Sequence, residues 1–125
     1  MAHKKYLTKE SKNKALSENN KKYFKTKKGK VVSTYINMNR RVRGYVKKHI
    51  YEGLEIMSKD DFYKFSLNDD QYNKLHDAWV LSGFDRKLSP SIDRIDGSKG
   101  YTIDNVRWIT HSENSSQGTK SRFKL

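Results

Sequence analysis

At Pro90 the hydrophobic period of this sequence changes, and that change limits the fold more than any other feature. Before it, apolar residues recur at three- and four-residue intervals, the spacing that gathers them on one face of a helix. Just after it, Ile92, Asp93, Arg94, Ile95 and Asp96 alternate apolar with charged, the two-residue period of a strand. Proline lacks the amide proton a strand interior needs, so Pro90 belongs at the strand's edge. A turn-rich stretch, Gly97-Ser98-Lys99-Gly100, leads to a second short strand at Val106 to Ile109. Thr110 and Glu113 then have capping-box spacing, in which a hydroxyl and a carboxylate each satisfy a free amide of a new helix. The chain from Pro90 onward reads strand, loop, strand, helix, behind a mainly helical N-terminal part, so the expected class is α+β.

In that helical part, Val32, Tyr35, Ile36, Val42, Tyr45, Val46 and Ile50 share one face of a single expected helix, which Gly44 weakens without excluding. Arg40, Arg41, Arg43, Lys47 and Lys48 would lie on its solvent side as a basic stripe. Ser58, with Asp61 three residues on, marks a helix start whose buried side is Phe62 and Phe65. A second start is expected at Ser66 to Asp70, leading into Tyr72, Leu75, Ala78, Trp79 and Leu81, with Gly83 as C-terminal cap. His49 and His76 fall in helical patterns and read as structural or surface groups.

The chain has the size of one domain plus a tail. It has no cysteine, which removes disulfides, thiol nucleophiles and Cys-based metal sites together. No apolar run suits a signal peptide or approaches the roughly 20 residues of a membrane span, so a soluble, cytoplasmic protein is expected. Lys and Arg number 27 against 14 Asp and Glu, a formal charge of +13, whereas solubility needs only about 2 to 8. A polyanion is therefore the expected partner. A membrane surface would need a Lys-rich helix with a strong apolar face, which is missing, so the partner is taken to be nucleic acid. Residues 1–30 hold eleven Lys and two Glu and read as a flexible arm that orders on meeting phosphate. His3 lies in this arm and carries no signal. The expected DNA contacts are Lys21, Lys22, Lys25, Lys27, Lys28 and Lys30 from the arm, with Arg40, Arg41, Arg43, Lys47 and Lys48.

Cleaving a phosphodiester near neutral pH requires charge stabilisation on the phosphate, an activated water and a protonated leaving oxygen. One hard divalent cation held by oxygen ligands supplies much of the first. Asp93, on the first strand, and Asn114, in the first turns of the following helix, are suitable ligand types.

The runs Ser89-Pro-Ser-Ile-Asp-Arg-Ile-Asp96, Lys99-Gly-Tyr-Thr-Ile-Asp-Asn-Val106 and Trp108-Ile-Thr-His-Ser-Glu-Asn114 resemble the HNH endonuclease family, in the cysteine-free form of phage and homing nucleases. That resemblance implies a ββα-metal motif over residues 88–118, within a domain of residues 31–125 whose helical part is 31–84. It implies that Asp93 and Asn114 bind the metal, Mg²⁺ or Mn²⁺, and that Asn105 pins the loop between the strands. The family's general base is usually a His directly after the metal-binding Asp, and Arg94 stands there instead. A guanidinium stays protonated and cannot take a proton from water. Arg94 is therefore expected to bond a phosphate. Another residue is then the base, or metal-bound hydroxide needs none, or the site is catalytically silent; His111, three residues before Asn114, is the nearest candidate base.

The leading expectation is a metal-dependent endonuclease or nickase acting on double-stranded DNA, phage-encoded, with no small-molecule substrate, as a monomer or homodimer. A non-catalytic DNA-binding protein on a degenerate frame of the same kind is the alternative. An RNA-binding protein ranks last, for want of a recognisable RNA module.

Overall fold

Local hydrogen bonding sets the boundaries of most elements. The computed structural model describes residues 18–45 and 47–116. The arm up to residue 17 with His3, Val46, and the last two residues of the 88–118 segment lie outside the described residues. Helix α1 covers residues 18–23 and α2 covers Lys27–Val42. Thr26 caps α2 by accepting from the Gly29 amide at 3.0 Å. Residues 18–23 and 27–30, expected to belong to a flexible arm, are thus helical, and Gly29 is buried.

Along α2 the core face runs through Val31 and Met38, with half-buried Tyr35 between them donating its hydroxyl to Met57 O at 2.7 Å. The single helix expected to run as far as Ile50 ends at Val42. Gly44 takes φ +83°, and the amides of Gly44 and Tyr45 bond back to Arg41 O and Arg40 O, both at 3.0 Å. These are the two bonds of a Schellman motif, which uses glycine's access to the left-handed region to stop a helix. Helix α3 is the short Lys48–Tyr51.

Ser58 caps α4 (Lys59–Leu67), accepting from the Asp61 amide as its spacing implied. The cap of α5 (Asp70–Leu81) is Asp69 rather than Ser66. Ser66 is instead buried inside α4, where its hydroxyl accepts from Trp108 Nε1 at 3.1 Å. Gly83 ends α5 with a second Schellman pair, Gly83 N to Val80 O and Phe84 N to Trp79 O, and Phe84 folds edge-on against Trp79 at 5.0 Å. Tyr72, His76 and Trp79 face inward, whereas Ala78 is exposed and Leu81 is 89% exposed.

Strands β1 (Pro90–Arg94) and β2 (Val106–Thr110) pair antiparallel, with Ile92 opposite Trp108 and Asp93 opposite Arg107. Helix α6 follows directly and is described over residues 111–116. Its start is a reciprocal capping box: Glu113 N donates to Thr110 Oγ1 at 3.1 Å and Thr110 N to Glu113 Oε1 at 3.2 Å. The class is α+β, six helices and a two-stranded sheet among the described residues, and none of these helices is long and apolar enough to cross a membrane.

The core joins the sheet to the helices through aromatic rings. Trp108, 1% exposed, sits 4.4 Å from Tyr72 and 5.8 Å from Phe62 between ring centroids. The interstrand loop docks onto the segment before α4 through Tyr101 N to Glu55 O at 2.7 Å and Met57 N to Tyr101 O at 2.8 Å. Gly100 makes this possible, because a Cβ there would overlap the Glu55 backbone. Gly100→Ala must therefore push two backbones apart, and we expect a loss of about 1–3 kcal/mol in chemical denaturation. An unchanged midpoint would mean that the loop moves freely.

Candidate functional site

The two-residue period of β1 decides where its side chains go. Ile92 turns toward Trp108 and the core, so Ser91 and Asp93 project from the other face, over which α6 begins. Asn114, one turn into α6, reaches back and donates Nδ2 to Ser91 Oγ at 2.8 Å and to Ile92 O at 3.2 Å. With its nitrogen so committed, the amide has its Oδ1 to offer a ligand. The Asp93 carboxylate, 14% exposed, accepts from Arg107 Nε at 2.9 Å. Arg107 was missed in the sequence, although strand register predicts opposite charges at a facing pair.

Asp93, His111 and Asn114 line one cleft of about 490 Å³, whose other walls include Arg41, Lys47 and Tyr51. Three residues proposed for chemistry thus share a space with two of the cations proposed for DNA contact. Tyr51 and Tyr101 form the cleft's aromatic wall, stacked 6.3 Å apart and 10° from parallel. Tyr101 falls in the Lys99-to-Val106 run of the motif, in its Gly100-Tyr101 turn, whereas Tyr51 was not singled out from the sequence, because helix α3 and the Gly100 docking that juxtapose the two rings are tertiary features. Burial pushes the Tyr101 hydroxyl pKa up, although the nearby Arg41, donating to it at 3.3 Å, acts in the opposite sense.

Asn105 is not in the cleft. It is 5% exposed and stitches the loop shut: Nδ2 donates to Gly100 O at 2.8 Å and Asp96 O at 3.1 Å, while Oδ1 accepts from Asp96 N at 2.8 Å. Arg94 serves the same loop. Its Nη1 donates to Gly97 O at 2.7 Å and Lys99 O at 2.9 Å, and its guanidinium lies 4.7 Å from the Tyr51 ring centre. Its observed partners are loop carbonyls and aromatic rings. Arg94→Ala should cost roughly 1 kcal/mol, since these bonds are solvent-exposed, and should speed amide exchange over residues 97–100. Unaltered exchange there would show that Arg94 does not hold the loop.

The expected DNA-contact residues divide by location. Lys30, Arg41 and Lys47 line clefts beside β1. Lys27 pairs with Asp77 at 3.4 Å and Lys48 with Glu52 at 3.5 Å. Lys25 lies over Phe84 at 4.7 Å and Lys28 over Tyr63 at 4.2 Å, so both cover aromatic surface as well as carrying charge. Lys21, Lys22, Arg40 and Arg43 are exposed. His76, buried, bonds Lys25 O through Nε2 at 2.8 Å, and His49 is exposed.

Among the described residues no group of three or more His, Cys, Asp or Glu converges as a metal cluster, so a cation at this site would depend on Asp93, Asn114 and non-protein ligands. Comparison with family models, curated proteins and solved structures returns no match for this chain.

Proposed function

We propose that this chain is a divalent-metal-dependent DNA endonuclease or nickase, hydrolysing phosphodiester bonds of double-stranded DNA. The observation that carries the reading is the meeting of Asp93, His111 and Asn114 in a cleft walled by Arg41 and Lys47. A site made only for binding a polyanion has no need of a carboxylate and an amide oxygen side by side, the hard donors a divalent cation takes. The resemblance to HNH endonucleases, in which Asp93 and Asn114 fall at the metal-binding positions, supports the same reading.

Mg²⁺ fits the donor set, because it takes hard oxygen ligands, commonly one or two from protein, and fills its sphere with water and substrate phosphate. Asp93 and Asn114 Oδ1 would hold it, and when bound it would offset the negative charge that builds on the phosphate during hydrolysis. Arg41 and Lys47 orient the scissile phosphate. His111 takes a proton from the attacking water as the water oxygen bonds to phosphorus. One P–O ester bond then breaks, and its oxygen leaves with a proton from solvent. Asn105 and Arg94 act as positioning residues that hold the loop between the strands.

A non-catalytic DNA-binding protein is the second reading, favoured by one observation: Arg107 already neutralises Asp93 at 2.9 Å. Incubating the protein with supercoiled plasmid separates the two. Open-circular or linear product with Mg²⁺ or Mn²⁺, stopped by chelator, is expected of the nuclease. A gel shift without product in either metal would establish the binding protein instead.

A further inference from the structure

Beside the Asp93 cleft lies a smaller pocket of about 120 Å³, room for several waters, that shares Arg41, Ser91 and His111 with it. Lys30, Asn37 and Arg41 enter it from α2, at spacings of seven and four that place them on one stripe of the helix. Ser89 and His111 close the far side. None of its lining residues is acidic, in contrast to the cleft beside it, so it suits an anion and not a cation.

Lys30 and Arg41 have no anionic partner among the described residues. Lys30 is half-buried with its ammonium 5.1 Å from the Trp79 ring centre, and no carboxylate of the described residues pairs with it. Burial pushes its pKa below the ordinary lysine value. Arg41 is half-buried too, with a tyrosine hydroxyl and the Tyr51 ring as its neighbours. Removing cations from water without a counter-charge is unfavourable, and a bound anion relieves both at once. Asn37, Ser89 and His111 add hydrogen-bonding side chains to the lining.

We propose that this pocket binds one phosphate of a DNA strand, the one flanking the phosphate held in the Asp93 cleft. The proposal rests on the DNA reading above for the source of the phosphate, but needs neither metal nor cleavage. The shared wall of Arg41, Ser91 and His111 then sets the path of the strand, from Lys30 past the foot of α6 to Lys47.

Two measurements on the full chain test it, both with wild type, Lys30→Met and Lys64→Met. Methionine keeps the apolar stem over Trp79 while removing the charge, and Lys64 lines a separate pocket on α4. In ¹H–¹⁵N spectra titrated with inorganic phosphate, the Asn37 side-chain amide and the His111 backbone amide should shift and saturate in wild type and Lys64→Met but not in Lys30→Met. In binding to a short duplex without metal, Lys30→Met should lower the slope of log K against log salt by about 0.9, the loss of one phosphate contact, and Lys64→Met should not. Equal slopes for wild type and Lys30→Met overturn the proposal. Saturable phosphate binding with equal slopes would make the pocket a free-anion site, which overturns it as well. If the slopes differ as expected but the plasmid is never cut, the nuclease reading fails and the subsite stands.

Discussion

Asp93→Ala should abolish metal-dependent nicking, with a loss of at least about 10²-fold in rate, the size that follows removal of one charge-stabilising group from an active site. The same variant frees Arg107, whose Nε is 2.9 Å from the carboxylate, and so adds positive potential to the cleft. DNA affinity should stay level or rise, and its salt dependence should not weaken. That opposite movement of binding and cleavage separates a lost ligand from a damaged fold. The cross-strand pair itself is worth only about 0.2–1 kcal/mol, so β1 and β2 should survive. Asn114→Ala should show the same kinetic loss. Its two bonds to β1 also tie α6 to the sheet, so thermal denaturation should accompany the assay. Cleavage at the wild-type rate by either variant, with the same metal, would remove the site from this cleft.

His111→Ala should lower the rate by about 10²- to 10⁴-fold, the ordinary contribution of a positioned acid or base. Duplex binding should change far less, because the phosphate still meets Arg41 and Lys47. His111→Gln, which keeps a hydrogen-bonding side chain but cannot take up the proton, should lose rate as His111→Ala does, whereas a merely structural histidine would be rescued by it. Should both variants keep the wild-type rate, water in the cleft needs no protein base and His111 serves only to line it.

The elements most legible in the sequence are those fixed by local chemistry. The Thr110 and Glu113 box, the Ser58 cap and the Gly83 stop each depend on bonds between residues a few positions apart, which spacing alone specifies. The α2 boundary was harder, because Val42 and Tyr45 keep a helical spacing across Gly44, which breaks the chain's direction. The expected face is not the buried one, since Ile36, Tyr45 and Ile50 are exposed while Val31 and Met38 are buried, and Gly44 uses a backbone region that a hydrophobic pattern does not report. Ser66 looked like a cap for the same reason: a hydroxyl's partner, here Trp108 forty-two residues away, is invisible locally.

For the candidate site, strand period and cap spacing gave the placement of Asp93 on β1 and of His111 and Asn114 in α6, while the roles proposed for them came from the resemblance. Arg107 was missed, because its pairing with Asp93 depends on the register of β1 against β2. The fates of the basic residues were not legible. Lys25, Lys27, Lys28 and Lys30 look alike in sequence, yet they cover Phe84, pair with Asp77, cover Tyr63 and enter an anion-suited pocket, respectively. Only the packing of α2 and of the turn before it against the rest of the chain distinguishes them.

The most direct test of a metal-dependent site at Asp93 and Asn114 is paramagnetic broadening by Mn²⁺, read in ¹H–¹⁵N spectra of the protein bound to a duplex with uncleavable linkages. Broadening should centre on residues 91–94 and 111–115, fall away toward α4 and α5, and disappear from that centre in Asp93→Ala. Broadening centred elsewhere, or the same pattern in Asp93→Ala, would contradict the assignment of the metal to this cleft.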